Sequence, residues 1–243
     1  MKGYKPILSF GEDVSPEYGT TLRGDETAAV AFLAKAAGAG PALELAIGAG
    51  RIALPLAEHG IRVDGVDISP AMVAQLQAKP GGEKIAVTIG DFADVPIDGY
   101  YSLIYIVWNS FFNLLTQAEQ VRCFENVAAH LSDDGVFVIE TLVPSYYYTL
   151  RNDQYVEAEA IEVDSVRLDL LRHDPVKQIT EENHVSISAS GIHLNPVVQR
   201  YAWPSELDLM ARLAGLRLKT RWGGWSGEPF TSDSGLHVSV YER

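Results

Sequence analysis

Short apolar runs alternate with helical stretches between residues 42 and 140, and this rhythm constrains the fold more than any other feature. The apolar runs, at residues 42–46, 61–66, 85–89, 102–107 and 136–140, are five candidate strands. Helical patterns at residues 51–58, 71–78 and 117–130 lie between them. Because parallel strands need long crossover connections, which are usually helical, the alternation predicts an α/β fold with a Rossmann-like, doubly wound sheet.

The sequence outside this region predicts additions to the sheet. Residues 27–37 form a predicted helix with Asp25 as its N-cap. After Pro144, alternating polar and apolar residues predict a small antiparallel β insertion with strands at residues 164–172, 182–188 and 192–201. A helix at 204–214 and strands at 216–222 and 236–241 close the sheet, the last strand being antiparallel. We divide the chain into a lid (1–40), a cofactor-binding core (41–144), an insertion that supplies an acceptor pocket or dimer contact (145–202), and a closing helix and hairpin (203–243).

Charge and cysteine content restrict the partners. The net charge of -13 disfavours nucleic acid and anionic membranes and favours a small neutral or cationic ligand. Cys123 is the only cysteine, so no internal disulfide forms, and it is expected to be a small buried hydrophobe. Residues 1–14 contain no apolar run of signal or membrane length. We expect a cytoplasmic protein that binds a small molecule and can form a homodimer.

A ligand-binding turn follows the first strand, in the sequence Ala-Leu-Glu-Leu-Ala-Ile-Gly-Ala-Gly-Arg at residues 42–51. Glycines let a backbone approach a ligand closely, and the next helix begins with unpaired N–H groups. Asp67 ends the second strand, where a carboxylate can accept both ribose hydroxyls. Asp91 follows the third strand and can accept a hydrogen bond from an adenine amino group, with Phe92 packing nearby. Three strand ends therefore converge on one nucleoside.

The chain resembles the class I S-adenosylmethionine-dependent methyltransferases at residues 44–50, 66–69, 90–92 and 131–137. The resemblance implies that Glu44 contacts the methionine moiety, that Asp67 holds the ribose and that Asp91 reads the adenine. Ala46 stands where the family's first glycine is usual, so the turn must tolerate a Cβ atom there. The cofactor implied is S-adenosyl-L-methionine, and its expected contacts are Glu44, Ala46, Gly48, Gly50, Arg51, Asp67, Ile68, Asp91, Phe92 and Trp108.

Two alternatives remain at this point. Gly48, Gly50 and Ala53 also satisfy the loose dinucleotide fingerprint, which would suit an NAD(P)-dependent oxidoreductase. Against it, no tyrosine has a lysine four residues later, as short-chain reductases require. A non-catalytic protein that binds S-adenosylmethionine is the second alternative, and Ala46 is its only support.

The acceptor side is less determined by the sequence, which leaves N-, O- and C-nucleophiles open. Methyl transfer is an in-line displacement that depends mainly on alignment. Asn109 follows the fourth strand, beside the expected methyl position, and is the better candidate for a catalytic role; Trp108, Phe111 and Phe112 suit a pocket or a core equally.

Of the insertion histidines His173, His184 and His193, we select His193 as a candidate base because it follows a turn at Gly191. The expected substrate contacts are Tyr18, Arg23, Asn113, Tyr146 and Tyr147. No aspartate follows the fourth strand as a catechol-type site would need, so we predict no metal.

Overall fold

The computed structural model describes residues 1–11, 23–94 and 97–243. Its strands are β1 (Ala42–Leu45), β2 (Val63–Asp67), β3 (Ala86–Ile89), β4 (Tyr101–Ile106), β5 (Leu131–Leu142), β6 (Gln154–Ile161), β7 (Ser165–Asp174), β8 (Ile179–Ser188), β9 (Gly191–Arg200), β10 (Arg217–Trp222) and β11 (Leu236–Glu242). Its α-helices are α1 (Glu26–Ala37), α2 (Ala53–Glu58), α3 (Pro70–Gln77), α4 (Gln117–His130) and α5 (Pro204–Leu213). No helix in these ranges combines the length and apolar composition needed to cross a membrane.

Seven strands form one sheet in the order β10-β11-β5-β4-β1-β2-β3. Strands β1 to β5 run parallel, and β11 is antiparallel to both β5 and β10. The predicted doubly wound sheet with an antiparallel last strand is confirmed. The chain leaves β1 toward β2 and later returns to the other side of β1 with β4, which creates a crevice at their carboxyl ends.

The second sheet is a four-stranded antiparallel meander, β6-β7-β8-β9, as the predicted insertion requires. The prediction lacked β6, which is an edge strand exposed along most of its length and so shows little apolar alternation. In the β8–β9 pair, Thr180 lies opposite Gln199 and His184 opposite Asn195, so all four side chains share one face. The roles assigned above to the four segments of the chain stay predictions.

Short polar side chains cap the starts of α3 and α4, whereas α1, α2 and α5 begin without a side-chain cap. The Thr116 side chain accepts a hydrogen bond from the Glu119 N–H, and the Glu119 carboxylate accepts one from the Thr116 N–H, which is a capping box for α4. Asp25 occupies the predicted N-cap position of α1, but its side chain makes no cap hydrogen bond. The Asp25 carboxylate instead pairs with the Arg51 guanidinium at 3.3 Å.

The two faces of the large sheet bury separate apolar clusters. On one face the fully buried rings of Phe111, Phe124 and Phe137 meet edge to face, with Phe112 and Cys123 in the same cluster. Phe111 and Phe112 are therefore core aromatics, and Cys123 is buried as predicted. Burial raises the pKa of the Cys123 thiol well above its usual value, which makes it a poor nucleophile.

Candidate active site

A cavity of about 760 Å³ opens at the carboxyl ends of β1, β2 and β4, beneath the inner face of the antiparallel sheet. Thirteen of the predicted site residues line it: Arg23, Glu44, Ala46, Gly48, Arg51, Asp67, Ile68, Asp91, Phe92, Trp108, Asn109, Asn113 and Tyr147. Gly50, Tyr146 and His193 lie outside the wall that the described residues form. Tyr18 lies outside the described residues. The structure thus brings together residues that are far apart in the chain, while their individual roles stay predictions.

Asp67 connects the ends of β1 and β2. Its carboxylate accepts the Gly48 N–H at 2.7 Å and the Ser69 N–H at 2.8 Å, one on each oxygen. Burial raises the pKa of Asp67, and these two N–H donors oppose that shift. Asp67 therefore holds the turn between β1 and α2 in place and also presents a buried acceptor to the cavity.

Glu44 is the most deeply buried acid of the cavity wall, with only 2% of its surface exposed. The Tyr105 hydroxyl donates a hydrogen bond to its carboxylate at 2.9 Å. Burial raises the pKa of Glu44 to about 8, although Tyr105 and the Arg51 charge act in the opposite direction and the Asp67 charge reinforces it. A carboxyl group in this state favours a cationic ligand, because a nearby positive charge would stabilise its ionised form.

The turn after β1 adopts the left-handed backbone conformations that its glycines allow. The φ angles are +54° at Gly48 and +78° at Gly50, and Ala46 adopts +57° despite its Cβ atom. At Gly50 an added Cβ would collide with the Leu76 side chain, so this glycine serves close packing of α3 behind the turn. Ala46 replaces the family's first glycine, and the turn accommodates it at a cost in backbone strain.

The end of the third strand contributes less to the buried part of the cavity wall than the ends of the first two strands. Asp91 is exposed, and one of its oxygens accepts the Ala93 N–H at 2.8 Å. Phe92 is buried and belongs to the core cluster beside the cavity. Arg51 forms a second ion pair, with Glu26 at 3.1 Å, and so ties the start of α2 to α1.

A strained turn follows β4. Trp108 and Asn109 have φ angles of +57° and +55°, and two consecutive non-glycine residues in this region are costly. The buried Glu140 carboxylate accepts the Trp108 N–H at 2.8 Å, and the Asn109 side-chain oxygen accepts the Leu142 N–H at 2.6 Å. Trp108 is 46% exposed and lines the cavity, unlike the core phenylalanines that follow it.

Three histidines of the insertion occupy different environments. His193 is exposed on β9, two residues before Asn195 in the chain, and lies outside the cavity. His173 is buried and shares a hydrogen bond of 2.8 Å with the Tyr201 hydroxyl. His184 lines the cavity, with its Nδ1 atom 3.4 Å from an Asp169 oxygen and 3.7 Å from a Glu159 oxygen. The prediction for His193 stays untested, and the geometry favours His184 as the histidine nearer to a ligand.

Sequence reasoning missed several residues of the cavity wall: Pro6, Ser9, Phe10, Glu159, Glu182, Asn195 and Gln199. The Ser9 hydroxyl donates to the Pro196 carbonyl at 2.6 Å, which attaches the N-terminal 3-10 turn to β9 above the cavity. The Gln199 amide reaches the Asn113 side-chain oxygen at 3.3 Å. Tertiary pairing of β8 and β9 brings Glu182, Asn195 and Gln199 to the site, and strand alternation was the available signal for these three.

One group in the described part of the chain has the spacing of metal ligands. Ligand atoms of Glu159, Asp169 and His184 lie within 4.8 Å of one another. The prediction that the protein needs no metal is not tested by this arrangement.

The large sheet is doubly wound with one reversed strand, and the cavity lies where the strand ends that carry Glu44 and Asp67 meet. These two features define a Rossmann-like fold with a ligand cavity at its switch point. The model of the family described as "Methyltransferase domain" matches residues 42–135. The "Cypemycin N-terminal methyltransferase" of a Streptomyces species is 26% identical over 201 residues, which are 83% of this chain and 82% of the relative.

Solved structures agree with the family match. The CcbJ methyltransferase from Streptomyces caelestis is 34% identical, with a TM-score of 0.90 over 98% of this chain and 99% of that protein. The amino pentose methyltransferase CalS10 from Micromonospora echinaspora, solved with S-adenosylmethionine bound, has a TM-score of 0.67 at 22% identity over 92% of this chain and 93% of that protein, which shows the fold alone. This chain belongs to the class I S-adenosylmethionine-dependent methyltransferases. Membership decides against the oxidoreductase and the non-catalytic alternatives.

The cavity fits the family's cofactor, S-adenosylmethionine. Asp67 supplies a buried acceptor that is held by two backbone bonds, as a contact to ribose hydroxyls needs. Glu44 supplies a carboxyl group whose ionisation a cationic ligand would favour. Gly48 has no Cβ at the point where the turn faces the cavity, which leaves room for a ligand close to the backbone.

Proposed function

We propose that this enzyme transfers a methyl group to a nitrogen atom of a small-molecule amine. The observation that carries the proposal is the cavity, which continues from Glu44 and Asp67 past Asn109 to polar side chains of β8 and β9. This leaves space for an acceptor beside the cofactor residues. The nitrogen is supported by the cypemycin N-terminal methyltransferase, which matches most of this chain.

The side chains beside Asn109 suit a neutral amine. Val107, Leu114 and Leu142 line this part of the cavity and carry no charge. An apolar wall disfavours the charged form of an amine, and only the neutral form has the lone pair that attacks. When bound, S-adenosylmethionine supplies an activated methyl group. Glu44 and Asp67 orient that ligand in the proposed arrangement, while the Trp108–Asn109 turn borders the acceptor and the apolar wall excludes water.

Turnover with labelled S-adenosylmethionine tests the proposal. We expect methylated product from primary or secondary amines and none from alcohols of the same carbon skeleton. Mass spectrometry of the product identifies the methylated atom, and the Asp67→Ala variant serves as a control with weakened cofactor binding. Methylation of the alcohols, or of none of the amines, would contradict the assignment to nitrogen.

A further inference from the structure

The cavity extends along β9 well beyond the point where a methyl group would be transferred. The Gln199 amide approaches the Asn109 carbonyl and the Asn113 side chain, which places Gln199 at the transfer end. Val197 and Asn195, two and four residues away, line the same cavity. Since a strand advances by about 3.4 Å per residue, Asn195 lies about 14 Å from Gln199. An acceptor that fills the cavity is therefore an extended molecule.

The far end of this cavity is acidic. Glu182 lies opposite Val197 and His184 opposite Asn195, and Glu159 lines the same region. Among the described residues, the only lysine or arginine side chains in the cavity wall are Arg23 and Arg51, and both approach the Trp108 ring at the other end. His184 is therefore the only basic side chain that the described residues contribute to the wall at the far end.

A third acid, Asp169, lies beside Glu159 and His184 and has one carboxylate oxygen without a hydrogen-bond donor. The Asp169 Oδ2 atom accepts the Tyr155 hydroxyl at 2.8 Å, whereas Oδ1 is closed off from solvent, accepts no hydrogen bond in the described chain and lies 3.4 Å from the His184 Nδ1 atom. Within the same ranges nothing donates a hydrogen bond to the Glu182 carboxylate, and burial together with the Asp169 charge raises its pKa to about 7. A buried acceptor without a donor is costly, so a cationic donor would relieve Asp169, and its positive charge would favour the ionised form of Glu182.

A cation held by these acids is not the nitrogen that is methylated. Neighbouring carboxylates stabilise an ammonium ion, and an ammonium ion has no lone pair with which to attack a methyl group. The apolar side chains of Val107, Leu114 and Leu142 near Asn109 have the opposite preference. The two ends of the cavity therefore suit two different groups of one acceptor.

We infer that Glu159, Asp169, Glu182, His184 and Asn195 form a remote subsite, which binds a second, positively charged group of the acceptor at a distance from the methylated nitrogen. This inference rests on the proposed function. It makes the acceptor class an extended molecule with two amino groups, or an amine with a guanidinium group, connected by an apolar stretch. Val197 and Tyr147 line the middle of the cavity, where that stretch would lie.

Calorimetry on the protein loaded with S-adenosylhomocysteine tests the subsite without turnover. The probes are 1,8-diaminooctane and its neutral counterpart 8-aminooctan-1-ol, with 1,3-diaminopropane and 3-aminopropan-1-ol as pairs too short to reach both ends. We expect the long diamine to bind about tenfold more tightly than the long amino alcohol, and the short pair to bind equally. Equal affinities for the long pair would overturn the inference, whereas failure to methylate any amine concerns only the proposed function.

Matched variants assign the effect to the subsite. Glu182→Gln removes one charge at constant size and should lose most of the tenfold preference, with the affinity for the amino alcohol unchanged. Glu181→Gln, on the opposite face of β8 and paired with Arg172, is the control that keeps the preference. The measurements are repeated with EDTA and with added Mn²⁺. A preference that disappears with EDTA would show that the acids hold a metal ion and would also overturn the inference.

Discussion

Replacement of Glu44 by glutamine isolates one buried ionisation from the rest of the protein. Glutamine keeps the size of the side chain and an oxygen that can accept the Tyr105 hydroxyl, which Glu44 accepts at 2.9 Å. It removes only the proton equilibrium. The difference in unfolding free energy between the wild-type protein and the variant therefore reports the cost of ionising Glu44 at its buried position beneath the cavity.

The magnitude follows from the pKa. Burial raises it from 4.5 to about 8, so the folded protein holds the proton more tightly than the unfolded chain does. The stabilisation from Glu44 is complete below about pH 4.5 and is lost as the pH rises through about 8. At about 1.4 kcal/mol per pH unit, a difference of about 3.5 between the two pKa values makes the complete loss at most about 5 kcal/mol. The glutamine variant should lack this loss, and its advantage should grow toward alkaline pH.

Two measurements follow the proton. Denaturant unfolding of the cofactor-free proteins between about pH 5 and 9 gives the difference in unfolding free energy. Calorimetry of S-adenosylhomocysteine binding, in buffers of different ionisation enthalpy, counts the protons released. If the cationic amino group of the ligand contacts Glu44, wild-type protein should release close to one proton near pH 7 and almost none above about pH 9.

At neutral pH, binding to the glutamine variant should release almost none of the protons that binding to the wild-type protein releases. Identical proton counts and parallel pH profiles of stability in the two proteins would refute this reasoning, because Glu44 would then be ionised throughout. Tyr105→Phe is a second check. It removes the donor that stabilises the carboxylate, so the transition should move to still higher pH.

Three further substitutions test the strand-end turns. Asp67→Ala should weaken S-adenosylhomocysteine binding by about 1 to 3 kcal/mol, since it removes a charged acceptor and leaves the Gly48 and Ser69 N–H groups without theirs; unchanged affinity in calorimetry would remove Asp67 from the site. Ala46→Gly should raise the unfolding free energy by about 1 kcal/mol, because glycine adopts the left-handed backbone without strain; a lower melting temperature would contradict this. Asn109→Ala should slow turnover at saturating cofactor, and a normal rate would mean that its bond to the Leu142 N–H is its whole role.

Parts of the site were predictable because they belong to short contiguous patterns. The turn at residues 44–50, Asp67 and Asp91 each lie at or just after the carboxyl end of a strand, and parallel strands bring these ends to one edge. The acceptor side was not predictable in the same way. His193 was selected from its place after a turn, whereas the cavity reaches β9 only as far as Asn195.

The amino-acid sequence by itself determined the doubly wound sheet and the cofactor end of the cavity, since hydrophobic periodicity and glycine turns act over a few neighbouring residues. The tertiary structure decided what faces the ligand from the insertion. A strand exposes every second side chain, so the register of β8 against β9 and the docking of that sheet over β1 and β4 selected Glu182, His184 and Gln199. The Trp108–Asn109 turn was likewise set by distant groups, because Glu140 and Leu142 on β5 hold it in a conformation that its own residues disfavour.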